Sequence, residues 1–234
     1  MPTKLTQNSA TDSFSAHLKY SIYSLIEEDQ TLRDLAPIPQ AALTALLAQD
    51  QAKTELDDTE LQNRSSLSAQ ERRNTVIVYA LIALLEKLTR SNPAFARLQE
   101  QITGGMTLTQ ITSPRGTGVG LEVRTIRLIA ERITLLGDAA PEELRAMIAP
   151  LQAAAAATEQ RLNTLTSTLF AIDIARANLQ QAKTDALNAL ARLRAELTAL
   201  FPRNRAYVNQ FFLSVNTSRK PAGGGEQEPG NTNN

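Results

Sequence analysis

Apolar residues recur every three or four positions along most of the chain, which is the spacing of an amphipathic helix. The first such stripe predicts a helix over residues 13–30, with Thr11 or Ser13 as its N-cap. Two prolines follow, and a second helix is predicted over residues 40–57. The stripe of the first helix consists of Phe14, Leu18, Ile22, Leu25 and Ile26.

A third helix is predicted over residues 69–90, after a short linker at 65–67. Ser68 followed by Glu71 has the spacing of a capping box, in which each side chain binds a free backbone amide of the first turn. Residues 76–85 are apolar on nearly every side, which is typical of a helix in the centre of a bundle. Asn92 and Pro93 end this helix, and they can also begin a short helix that runs to about Ile102.

Six glycine and proline residues make residues 103–120 the main irregular segment of the chain. Within it, the alternating apolar residues of 106–111 suggest a short extended piece. A further helix is predicted over 121–136, ended by Gly137, and the next helix begins near Pro141. Pro150 is expected to kink or break that helix.

Residues 151–201 contain neither glycine nor proline, so one helix of roughly 75 Å is predicted there. Its apolar ladder has steps of three and four, which is typical of coiled-coil packing with a stutter. The ladder consists of Leu162, Leu165, Leu169, Ile172, Ala175, Leu179, Ala182, Ala186, Leu190, Leu193, Leu197 and Leu200.

These patterns together predict an all-α fold. We expect an elongated helical bundle built on the helix of 151–201, with the shorter helices packed along it. The predicted organisation is a flexible N-terminal arm (1–12), a helical bundle domain (13–215) and a disordered C-terminal tail (216–234). The tail is assigned from its composition, since it contains almost no apolar residue.

The composition excludes some classes of function and leaves the predicted fold unchanged. The chain has 24 basic and 24 acidic residues, so it lacks the basic excess of proteins that bind nucleic acid through phosphates. It has no cysteine, which removes disulfides and thiolate chemistry and fits a reducing compartment. Its longest apolar run is about half the length of a membrane span, and we expect a cytoplasmic protein.

No residue set predicts catalysis, a metal site or a cofactor. His17 is the single histidine, and a structural or surface role is the simplest interpretation. The acidic clusters lack the Glu-x-x-His pairs of di-metal bundles. The glycine-rich segment lacks the Gly-Lys-Ser/Thr ending of a phosphate-binding loop, although Arg115, Arg124 and Arg127 lie in and just after it.

Four of the ten aromatic residues lie close together near the C-terminus. A short helix capped by Asn204 is predicted to carry three of them. Either this helix folds back onto one end of the bundle, or it docks onto another subunit, because aromatic side chains are favoured as interface anchors. The candidate protein interface consists of Phe201, Tyr207, Phe211 and Phe212.

The leading hypothesis is therefore a non-enzymatic structural, scaffold or assembly protein that acts through helix packing and self-association. A first alternative is a membrane-active helical protein that inserts the apolar residues 76–85. A second alternative is a bundle that binds an anionic ligand through arginines near the glycine-rich segment. The expected partner is a protein, most simply a second copy of the chain, with no nucleic acid and no small-molecule ligand.

Overall fold

A computed structural model describes residues 5–107, 110–111 and 119–213 of the chain. Helices and the turns between them account for this described part, and no strand occurs in it. The predicted all-α fold is therefore confirmed. In chain order the helices are α1 (Thr11–Ile26), α2 (Gln30–Arg33), α3 (Pro37–Ser91), α4 (Phe95–Thr103), α5 (Val119–Leu135), α6 (Glu142–Arg145), α7 (Ile148–Leu200) and α8 (Arg205–Gln210). A 3₁₀ turn at Gly137–Ala139 joins α5 to α6.

The chain divides into two compact units. Unit 1 comprises Met1–Ala52 and Arg176–Asn234, and unit 2 comprises Lys53–Ala175. Each unit contains one part of α3 and one part of α7. The predicted limits of the arm, the bundle domain and the tail stay predictions, and the tail at 216–234 lies outside the described residues.

The helix α3 differs most from the sequence-based prediction. Two helices with a linker at 65–67 were expected, whereas α3 is one continuous helix of 55 residues, so the predicted linker is wrong. The polar residues of this region are used in packing: Ser66 accepts a hydrogen bond from Arg161 of α7. The predicted capping box is also wrong, because Ser68 lies inside the helix and its hydroxyl accepts from Arg72 Nη1 at 3.1 Å.

The prolines lie where a helix tolerates them. Pro37 and Pro39 are in the first turn of α3, and Pro150 is in the first turn of α7. A first-turn residue has no carbonyl partner for its amide, so the missing N–H of proline costs little there. The predicted break at Pro150 is therefore wrong, since α7 starts at Ile148 and continues through it. The predicted long helix itself is confirmed as α7.

The ends of α1 also differ from the prediction. The N-cap is Ala10, whose side chain makes no capping bond, and the helix ends at Ile26. Asp29 then caps α2 by accepting from the Leu32 amide at 3.1 Å. The short helix α4 is present and ends near Ile102 as predicted, but it begins at Phe95 with Ala94 as its N-cap, so the predicted start at Asn92 and Pro93 is wrong. The end of α5 before Gly137 agrees with the prediction. The extended piece predicted over 106–111 is not seen in its described part, where residues 110 and 111 are helical.

Unit 1 has two apolar clusters. In the first, α1 packs against the start of α3 and the second half of α7. In the second, the C-terminal residues pack against the end of α7, the end of α1 and the short helix α2. The residues before α1 are tied to α7 by polar bonds, since Lys183 Nζ donates to the Ser9 carbonyl at 2.9 Å and Gln7 Nε2 donates to Thr184 Oγ1 at 3.0 Å.

In the described residues of unit 2, an apolar cluster is formed by the end of α3, by α4 to α6 and by the start of α7. Within this unit α3 and α7 run antiparallel. Asn63 bonds Thr168, and eleven positions further along α3 Asn74 bonds Thr158, which lies earlier in α7. This pairing positions the side chains described next.

Candidate protein-interaction site

The four predicted interface residues are brought together in unit 1. Asn204 Oδ1 accepts from the Tyr207 amide at 3.1 Å and so begins α8, which confirms the predicted cap. Phe201 and Tyr207 meet edge to face with ring centroids 4.8 Å apart, and Tyr207 and Phe211 do so at 5.3 Å. The aromatic cluster, meaning Phe201, Tyr207, Phe211 and Phe212, is therefore one contiguous group.

This aromatic cluster forms part of the core of unit 1. Phe211 is 2% exposed and Phe212 is 8% exposed, and both pack in a cluster with leucines of α1, α2 and α7. The guanidinium carbon of Arg194 lies 4.5 Å from the ring centroid of Phe212, a cation–π contact. The predicted fold-back of this segment is thus observed. A docking role would fall to the half-buried pair, Phe201 and Tyr207.

Desolvation raises the pKa of the Tyr207 phenol, and the nearby carboxylates of Glu28 and Asp29 raise it further. The phenol is therefore neutral at physiological pH and keeps its hydroxyl as a hydrogen-bond donor. Neither a base nor a metal ligand is needed to explain this aromatic group. Its geometry supports packing rather than chemistry.

Two neighbouring exposed apolar side chains lie on α7 in unit 2. Phe170 is 68% exposed and Ile174 is 48% exposed, and their spacing of four places them side by side on the helix surface. The buried residues Thr168 and Ile172 alternate with them on the opposite face. We refer to Phe170 and Ile174 as the α7 surface pair.

The α7 surface pair lies on a stretch where α3 and α7 mainly cover each other. This middle stretch comprises residues 53–66 of α3 and 161–175 of α7, both in unit 2. None of its residues belongs to the apolar clusters seen in the described chain. Asn63 Nδ2 donates to Thr168 Oγ1 at 2.9 Å across it. Leu61, on α3, is also strongly exposed.

The apolar run at 76–85 lies on α3 in unit 2. Val78, Leu81 and Leu85 are buried in the core of that unit, whereas Val76 and Tyr79 are exposed on the opposite face. Among the described residues, no helix has the length and apolar content needed to cross a membrane. The run is accounted for by core packing on one face.

The three arginines near the glycine-rich segment do not form a common site in the described residues. Arg115 lies outside the described residues. Arg127 forms an ion pair with Glu159 of α7, and both of its terminal nitrogens face that carboxylate. Arg124 is exposed on α5. In the described part of the chain, no group of three or more histidine, aspartate or glutamate side chains is arranged to hold a metal ion.

A buried polar network in unit 2 had no signal in the sequence. Asn74 of α3 donates to Glu122 Oε1 of α5 at 3.1 Å and to Thr158 Oγ1 of α7 at 2.8 Å. Its own oxygen accepts from Gln70 Nε2 at 3.0 Å. All four residues are buried. Three helices are thus joined through one amide side chain, which periodicity cannot reveal because a polar residue in a helical pattern is assigned to the surface.

Two buried titratable groups have shifted pKa values in opposite senses. Burial raises the pKa of Glu122; the hydrogen bond from Asn74 opposes this shift, and the nearby Glu71 carboxylate adds to it. Burial lowers the pKa of His17 in unit 1. Desolvation disfavours the charged form of each group, which explains both directions. His17 is buried, and the structural role expected for it from the sequence stays a prediction.

Comparison with known protein families, curated proteins and solved structures finds no match for this chain. Function must be argued from its own residues. The sequence could have indicated the α7 surface pair, since Phe170 and Ile174 are large apolar residues that lie off the predicted ladder. The ladder itself is largely covered within the two units, and only Leu169 and Leu200 of its twelve members are exposed.

Proposed function

We propose that this protein is a non-enzymatic structural or assembly protein that associates with a second copy of itself through the middle stretch of unit 2. The observation that carries the proposal is the α7 surface pair. An exposed phenylalanine beside an exposed isoleucine, on a stretch outside the apolar clusters, is a surface that gains stability when covered. Burial of such a side chain contributes about 1.5–3 kcal/mol.

A second copy suits this surface by shape and by charge. Two copies that pair through this surface would pack their α7 helices side by side, the ordinary contact between two helices with apolar stripes. A two-fold axis through the α7 surface pair would place the same residues opposite each other. Residues 161–175 carry one basic and one acidic residue, whereas residues 53–66 carry two basic and four acidic residues, so the charges favour a contact centred on α7 rather than on α3.

The energies favour weak association. Four buried side chains, two from each copy, contribute about 6–12 kcal/mol, whereas association costs about 4–15 kcal/mol in lost freedom of motion. At the most favourable limits the net gain is about 8 kcal/mol, so dissociation constants of about micromolar or weaker are expected. The cytoplasmic location expected from the sequence belongs to the same proposal.

Light scattering of the full chain tests the proposal, over concentrations from about 1 µM to about 500 µM. We expect the mass to rise from one chain to two. The double variant Phe170→Ser with Ile174→Ser should remain a monomer with unchanged helicity. Tyr23→Ser is the matched control, because Tyr23 is an aromatic residue of similar exposure, 64%, in unit 1. A wild-type chain that stays monomeric throughout, or a double variant that still dimerises, contradicts the proposal.

A further inference from the structure

A polar cavity lies between α3 and α7 in unit 2, separate from the α7 surface pair. Its volume is about 290 Å³. The residues that line it are Asn63, Ser66, Ala157, Gln160, Arg161 and Thr164. Five of these six side chains are polar, and Arg161 is the only charged one. The cavity therefore has a positive charge and no negative charge on its walls.

Arg161 is held in this cavity by a neutral partner. Its Nη1 donates to the Ser66 hydroxyl. Its Nε is buried and has no hydrogen-bond acceptor among the described residues. A guanidinium carries five N–H donors and no acceptor, so its unused donors require an acceptor from elsewhere.

Two carboxylates on the helices that line the cavity are engaged with other cations. Glu159 is paired with Arg127, and Glu60 is paired with Arg64 at 2.6 Å. In the described part of the chain, no carboxylate oxygen lies within ion-pair distance of Arg161. The guanidinium of Arg161 differs from that of an ordinary surface arginine, because its Nε is shielded from solvent while its charge has no carboxylate partner.

The remaining wall groups can also donate. The Ser66 hydroxyl accepts from Arg161 and so has its own proton free to donate. The amide of Gln160 makes no side-chain hydrogen bond within the described residues and is exposed at the rim. Asn63 Nδ2 has a second hydrogen besides the one directed at Thr168. An arginine with neighbouring hydroxyl and amide donors is the arrangement that binds a carboxylate or phosphate group.

We propose that the Arg161 cavity binds a small oxyanion, with Arg161 as the charged contact and Ser66 and Gln160 as additional donors. The volume lies at the lower end of the range for ligand sites, which limits the ligand to a phosphate group or a short carboxylate. The site is distinct from the anion site hypothesised near the glycine-rich segment. Four of its lining residues, Asn63, Ser66, Arg161 and Thr164, belong to the middle stretch through which self-association is proposed, but the site does not include the α7 surface pair.

Titration of the full chain with inorganic phosphate, and separately with succinate, tests the proposal at constant ionic strength maintained with chloride. The readout is the Nε–H resonance of each arginine in ¹⁵N-correlated NMR spectra, assigned through the variants. We expect the Arg161 resonance to shift with saturation in at least one titration. In the Arg161→Gln variant that resonance is absent, so binding is followed there by the backbone amide shifts of Ser66 and Gln160. The affinity should be roughly ten- to hundredfold weaker, because a charge-assisted hydrogen bond is lost. Arg161→Lys should restore part of the affinity.

Two control variants locate the effect. Arg73→Gln removes an exposed arginine of α3 in the same unit and should leave binding unchanged. Arg124→Gln should also leave binding unchanged; if it abolishes the shift instead, the anion binds near the glycine-rich segment and the proposal is wrong. A uniform, non-saturating shift of all arginine resonances also contradicts the proposal, since the cavity would then hold only water. A saturable response to phosphate but not succinate, or the reverse, identifies which oxyanion is bound.

Discussion

The two units differ in the kind of contact that α3 and α7 make with each other. In unit 1 the contact between α3 and α7 is apolar and lies against α1, with Leu43 and Leu46 beside Leu179, Ala182 and Ala186. In unit 2 the end of α3 and the start of α7 share an apolar cluster, but the contact before it along α3 is bridged by hydrogen bonds. These run from Asn63 to Thr168, from Arg161 to Ser66 and from Asn74 to Thr158. The apolar seam and the polar seam, as we call them, occur on one pair of continuous helices.

The difference shows how a long helix pair combines stability with register. An apolar seam gains free energy from burial, but leucine and alanine contacts are similar when one helix slides by a turn. A buried hydrogen bond adds less stability, yet it is lost in every other register and leaves an unsatisfied polar group. We infer that within unit 2 the polar seam sets the alignment of α3 with α7, as single buried polar residues do in coiled coils.

The largest expected effect comes from the apolar seam. Leu46→Ala should lower the free energy of unfolding by about 2–5 kcal/mol, because Leu46 is fully buried and its removal leaves a cavity. Hydrogen exchange should rise mainly in unit 1. The control is Leu61→Ala on the same helix, where the side chain is 69% exposed, and it should change stability by less than about 0.5 kcal/mol. Equal effects of the two variants, measured by urea unfolding followed by circular dichroism, would show that Leu46 is not in the core.

The polar seam should respond next. Asn74→Ala leaves Glu122, Thr158 and Gln70 without their shared partner, and we expect a loss of about 1–3 kcal/mol. Hydrogen exchange should rise mainly in unit 2. Asn163→Ala is the matched control, because Asn163 is an exposed asparagine of α7. If the Asn74 variant is as stable as this control, the network does not contribute to folding and the register argument fails.

The smallest expected effect is a pH dependence of the stability, which has opposite signs for one residue of each unit. The folded-state pKa of Glu122 lies above its unfolded value, so the native state binds the proton more tightly. Its destabilising contribution is absent below the unfolded pKa and grows as the pH rises through the folded pKa. For His17 the folded-state pKa lies below the unfolded value, so stability is lost as the pH falls from the unfolded pKa through the folded pKa.

Replacing each residue by a neutral one should remove its own contribution to the pH dependence of the stability. Glu122→Gln should gain stability relative to the wild type as the pH rises above the ordinary range of a carboxylate. His17→Asn should gain stability relative to the wild type as the pH falls below neutrality. The measurement is the urea midpoint of each variant minus that of the wild type across this pH range. If this difference does not change with pH for a variant, burial does not shift the pKa of the residue that the variant replaces.

Sequence periodicity was sufficient for the helices but not for their limits. The stripe of α1, the short α4, the end of α5 at Gly137 and the length of α7 all follow from local spacing and from glycine and proline. The same reasoning placed a linker at 65–67, because Asn63, Ser65, Ser66 and Ser68 look like a polar break. Ser66 is instead a partner of Arg161, 95 positions away in sequence.

The candidate sites also differ in whether the sequence could reveal them. The aromatic cluster was recognised from sequence because its members are close together along the chain. The Asn74 network and the Arg161 cavity were not, because each joins residues of helices that are distant in sequence, and a lone polar residue in a helical pattern is indistinguishable from a surface residue.

The sequence by itself determined that the chain is helical, since apolar spacing and backbone chemistry act over a few residues. Only the tertiary structure decided which polar residues are buried and which apolar residues stay exposed, such as Asn74 and Phe170. The physical reason is that the free energy of burying a side chain depends on the partner opposite it. That partner is supplied by another helix, far away in the chain.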